Sequence, residues 1–153
     1  MVVVSSHGVP AEEALTRPLV TIVLGSTVLT VAGIAFGGTF LLRVAAGGVP
    51  TNDLQKTFFR AGHAHAGVLV TLGLLIAVLT HVVGASPGWS AAGAIPVLVA
   101  AILIPAGFFL SVLGPDPTRP GRMFAAVRLG AVSLTAGVLI SGVAVLAAGI
   151  AAL

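Results

Sequence analysis

The chain has 153 residues, of which 58% are hydrophobic and 7% charged, and its mean hydropathy of +1.18 excludes a water-soluble fold in favour of an integral membrane protein. The absence of cysteine excludes disulfide frames, iron–sulfur clusters and thiolate metal sites. The net charge of +3 rests on few residues placed near loops; with no basic stripe and no soluble domain to carry one, nucleic acid is excluded as a partner.

Residues 1–17 lack the basic start, apolar core and small-residue cleavage site of a signal peptide, and read as a short retained tail in which His7 carries no signal. Four apolar windows follow, near Pro18 to Leu42, Phe58 to Val83, Ile95 to Leu113 and Met123 to Ala152. Each reaches the roughly 20 residues that a helix needs to cross a hydrocarbon core of about 30 Å. They are continuously apolar and rich in Leu, Ala and Gly, without the alternation of barrel strands. Because lipid offers no hydrogen-bond partner to a bare backbone, helices are the remaining solution. The expected fold is therefore all-α, a polytopic four-transmembrane-helix up-down bundle forming one domain over residues 1–153.

The first helix, near 18–42, ends at a loop in which Gly47, Gly48 and Pro50 break it. Asn52, with Gln55 three residues on, is a variant of the capping box, so the second helix is expected to begin near Asp53, ahead of its apolar part, and to span 53–83. The stretch "GASPGWSAAG" reads as the second loop, with Trp89 as an interfacial anchor. Pro105 lies inside the third helix, near 95–113, where it frees the carbonyl of Ala101 and predicts a kink. Pro115, Pro117 and Pro120 make the third loop a stiff, extended link to the fourth helix, near 123–152.

The basic residues orient the bundle. Arg43, Lys56 and Arg60 flank the first loop and Arg119, Arg122 and Arg128 the third, whereas the second loop and the C-terminus have none and the tail has only Arg17. The positive-inside rule puts the first and third loops in the cytoplasm and both termini outside, in a multi-pass protein of the plasma membrane.

Helices in lipid associate through close contact at small residues. Gly33 and Gly37 offer such a surface on the first helix, Gly62, Ala66, Gly73 and Ala77 on the second, and Ser133, Gly137 and Ser141 on the fourth.

The chemistry gathers in "FFRAGHAHAGVLVTLG", Phe58 to Gly73. Ionisable groups inside a membrane cost roughly 2.5 to 3.5 kcal/mol on insertion scales, so they face protein or water and mark function by default. Arg60 stands within a turn of the boundary and can snorkel. His63 and His65 lie about 7 to 10 Å deeper than Phe58 at the helical rise. They point about 200° apart, so one ion cannot be held by both on a continuous helix. His63 shares a polar stripe with Lys56, Arg60 and His81; His65 shares an apolar face with Phe58, Leu69, Leu72 and Ile76.

His63 and His65 are the candidate metal ligands, and with Arg60 and Arg128 they are the candidate cofactor-binding residues. Haem and a transition metal are the groups this set would suit, imidazole serving as axial ligand and arginine as carboxylate partner. All membrane histidines lie on the second helix, with His81 about 27 Å from His63, so one chain can ligate haem only once and a two-fold dimer is needed for two ligands. A homo-oligomer or membership of a membrane complex is therefore expected beside contact with lipid. Two further classes stand beside this one: a non-enzymatic accessory subunit whose histidines bond between helices, and a small proton or solute transporter using the stripe. The sequence leaves open whether the protein is an enzyme and assigns no catalytic residue.

On Arg60, Gly62, His63, His65 and Gly67 the chain resembles a family of small bacterial integral membrane proteins with four predicted helices and an Arg-x-Gly-His-x-His-x-Gly motif. The likeness covers about ten residues plus the hydropathy pattern and implies the fold without an activity. The segment is also similar to histidine-bearing helices of haem-copper oxidase-like proteins, whose other ligand helices have no counterpart here.

Overall fold

The computed structural model describes residues 11–153, with side chains from Thr21 onward; the expectations for residues 1–10, His7 and the Arg17 side chain lie outside the described residues. The chain is an all-α membrane bundle of α1 (Ala11–Ala45), α2 (Asp53–Val82), α3 (Pro87–Ser111) and α4 (Phe124–Ala151), each long and apolar enough to span a bilayer. Two boundaries move outward from the apolar windows. Helix α1 already includes Ala11, the first described residue, and runs through Pro18, because "AEEALTR" is built from good helix formers whatever its hydropathy. Helix α3 starts at Pro87 and absorbs most of the expected second loop, since proline fits the first helical turn. Trp89 is consequently an exposed residue of that first turn. Helix α3 also continues without a break through Pro96 and Pro105.

The turns follow from glycine. At the end of α1, Gly47 adopts φ +75° and donates to Val44 O, while Gly48 donates to Arg43 O, the paired bonds of a Schellman motif. Helix α2 ends the same way, with Gly84 at φ +72° donating to His81 O and Ala85 donating to Thr80 O.

Helix α3 lies between α2 and α4 and forms the core with them. Along its seam with α4, Gly93, Val97, Ala100, Ile104 and Gly107 recur at alternating four- and three-residue steps opposite Gly130, Gly137, Ser141 and Ala144. The fit is close: a methyl group on Gly137 would lie 2.7 Å from Gly93 O, and one on Gly130 would lie 2.6 Å from Ile104 Cγ1. Ser133 Oγ crosses the seam to donate to Pro96 O at 2.8 Å. On the other side of α3, a methyl group on Gly73 would meet Leu98 at 2.5 Å and one on Gly62 the Phe109 ring at 2.8 Å.

Helix α1 is an edge. It meets α2 and, less extensively, α3 through Ile34, Phe40, Leu41 and Val44, in its part nearer the first loop, and among the described residues it makes no contact with α4. Nothing lies within 4 Å of a methyl group on Gly25 or Gly33, and Leu29 and Phe36 are 75% and 77% exposed. The bundle is thus open on the α1 side.

Candidate functional site

The end of the bundle that carries the first and third loops is locked by two side chains. Asn52 caps α2 by accepting from Gln55 N at 2.9 Å, and Gln55 Oε1 accepts from Asn52 N at 3.1 Å, so the expected capping box is complete. Each side chain spends its remaining amide on the other loop. Asn52 Nδ2 donates to Asp116 Oδ1 and Pro117 O, both at 2.8 Å, and buried Gln55 Nε2 donates to Val112 O and Gly114 O, both at 3.1 Å. The third loop reaches this position through Gly114 at φ +126° and Asp116 at φ +48°, a left-handed conformation that aspartate tolerates better than most residues.

Above this lock the rings of the phenylalanines gather, every one except Phe36. Phe59 stacks on Phe109 at 5.3 Å between centroids and meets Phe40 of α1 edge-on at 5.4 Å. Phe58, Phe108 and Phe124 form a second group joining α2, α3 and α4, with centroids 5.4 to 6.2 Å apart. Offset and edge-to-face rings of this kind add about 0.5–1.5 kcal/mol per pair beyond their buried area. The Arg-x-Gly-His-x-His-x-Gly stretch stands on this floor, and its residues divide among different neighbours.

His65 turns to α3. Its ring lies 5.3 Å from that of Phe108, and its Nδ1 is 2.7 Å from Ala61 O, one turn back in the same helix. A carbonyl oxygen can only accept, so Nδ1 carries the proton and donates, and in the neutral ring the lone pair is then on Nε2. The residue is exposed on the outside of the bundle. His63 turns the other way, to α1, where its ring lies against Gly37 and Gly38; methyl groups there would stand 3.8 Å from Nδ1 and 3.6 Å from Nε2. It is half-buried and makes no hydrogen bond to a described residue. The two imidazoles therefore face different helices, as their angular separation requires, and among the described residues no group of three or more metal-ligating side chains exists.

Arg60 is exposed on α2, one turn before His63. Arg128 is exposed on α4, its guanidinium 5.9 Å from the centre of the Phe124 ring, and it lines a cavity of about 390 Å³ with Pro120, Gly121, Phe124 and Ala125. The side chain is thus folded back toward the third loop, as the tilt of helical Cα–Cβ bonds favours. Of the other basic residues, Lys56 pairs with Asp53 at 3.3 Å. The stripe from His63 to His81 passes over buried Val70 and half-buried Leu74, so carbon separates its polar ends. Sequence reasoning missed the Phe108–Phe124 floor, Pro96 as a hydrogen-bond acceptor and the second role of Asn52 and Gln55. The phenylalanine pairs at 58–59 and 108–109 were the signal for the first of these.

Neither a protein-family model, nor a curated protein, nor a solved structure matches the chain.

Proposed function

We propose that this membrane protein holds haem between two copies of itself, His65 of each copy serving as an axial ligand through Nε2. The observation that carries the reading is the 2.7 Å bond from His65 Nδ1–H to Ala61 O. Imidazoles that ligate a metal generally give their other N–H to a carbonyl or carboxylate, which sets the tautomer and the ring orientation. His65 is already held in that way before any ligand arrives. Phe108 backs the ring, and the exposure of His65 lets a planar group approach from outside the bundle.

A second axial ligand from the same chain is unavailable at this depth, since His63 looks into the glycines of α1 and His81 lies near the far end of α2. A two-fold axis beside His65 supplies the second one, in the commonest type of oligomer. Arg60 gives the propionates a counter-charge at the basic end, which the positive-inside rule places in the cytoplasm. Membership of the four-helix family with the Arg-x-Gly-His-x-His-x-Gly motif is part of the same proposal.

The test is the absorption spectrum of protein expressed with haem supplied and purified in detergent. A Soret band at one haem per two chains, lost in His65→Ala and kept in His63→Ala, is expected. A second reading, an accessory subunit of a larger membrane assembly, is favoured by the bare outer face of α1. It is the outcome if no haem is found and the protein co-purifies in stoichiometric amounts with another membrane protein.

A further inference from the structure

The cavity beside Arg128 has a chemistry that the haem reading does not use. It opens where α4 enters the membrane and is walled by Pro120, Gly121, Phe124 and Ala125, with the Arg128 guanidinium as its charged group. Its stiff rim is the third loop, held by the four bonds from Asn52 and Gln55. The nearby described carboxylates are engaged elsewhere: Asp116 accepts from Asn52, and Asp53 pairs with Lys56. Arg128 thus has a carbon surface on one side and no ion pair to a described residue, and Arg122 is exposed in the turn that precedes α4.

The outer surface of α4 continues the site into the bilayer. By helical arithmetic Val132, Leu139 and Val143 fall within about 60° of Arg128, and all three are exposed. A guanidinium lining an open hollow, at the head of a track that is apolar apart from exposed Thr135, whose hydroxyl donates back to Ala131 O, matches a molecule with a phosphate at one end and hydrocarbon behind it. We infer that the cavity takes the phosphodiester headgroup of an anionic phospholipid, with an acyl chain lying along Val132, Leu139 and Val143. Arginine suits this role because its planar fork can give two parallel N–H donors to one phosphate. A net negative lipid is preferred over a zwitterionic one because a choline group would bring a cation to Arg128.

The inference is independent of His65 and is tested separately. Delipidated protein in detergent is titrated with phosphatidylglycerol, phosphatidylcholine or inorganic phosphate, and bound lipid is read by native mass spectrometry together with the melting temperature. Phosphatidylglycerol is expected to bind at least tenfold tighter than phosphatidylcholine and to raise the melting temperature, with inorganic phosphate giving no shift. Arg128→Gln should abolish the preference and Arg128→Lys should keep part of it. Arg43→Gln, on α1, should leave it unchanged. Ala125→Leu, which fills the hollow and keeps every charge, gives a second route to the same loss if Arg128→Gln does not fold. Equal binding of both lipids, a preference that survives Arg128→Gln and Ala125→Leu, or a shift with phosphate alone would overturn the assignment.

Discussion

Helix α1 and the α2–α3–α4 core are made from nearly the same residues, yet one is bare and the other is closely fitted. The difference lies in where the glycines fall, since both regions are rich in them. Gly62, Gly73, Gly107, Gly130 and Gly137 each stand where an added methyl group would strike a neighbouring helix, whereas Gly25 and Gly33 face open space. In lipid, where burying more leucine brings little, such close approach is what holds helices together. A small residue contributes to membrane packing only when a neighbouring helix, by its side chains or its backbone, is waiting opposite it.

That contrast can be broken most strongly at the lock. Gln55→Ala removes two bonds to the start of the third loop and half of the capping box, leaving Val112 O and Gly114 O without their donor; a loss of about 2–4 kcal/mol is expected. Unfolding in mixed detergent would measure it, and a change below about 0.5 kcal/mol would mean that the loops are not held by this residue. Gly137→Ala comes next. Its methyl group meets backbone, Gly93 O and Val97 N, which cannot rotate away, so about 1–3 kcal/mol should be lost. Gly33→Ala is expected to be neutral or to stabilise α1 by about 0.5–1 kcal/mol, the ordinary helical gain over glycine. A marked loss at Gly33, in size-exclusion and unfolding measurements, would reveal a second chain packed on that face.

Much of this contrast was legible in the residue order. Four apolar windows, the Asn52–Gln55 cap and the breaks at Gly47 and Gly48 are local signals, and the helices begin and end beside them. Boundaries set by hydropathy alone fell short at α1 and α3, because "AEEALTR" and "PGWSAAGA" are helical without being lipid-like. The divergence of His63 and His65 follows from 100° per residue and needed no coordinates. Which neighbours they would meet was not legible, since that depends on which small residues oppose which helix. Gly37 turned out to face His63, while Gly33, its partner in spacing, faces nothing.

The same division between edge and core separates the two histidines. His63 sits in the α1 seam against glycine backbone, and His65 stands on the aromatic floor of the core with Nδ1 committed to Ala61 O. The most direct measurement is therefore the absorption spectrum of the His63→Ala and His65→Ala variants, each expressed with haem supplied and compared with the unaltered protein. A Soret band that persists in His63→Ala and disappears in His65→Ala, with both variants folded by circular dichroism, is the predicted result. A band lost in His63→Ala alone, or no band in any of the three proteins, would contradict it.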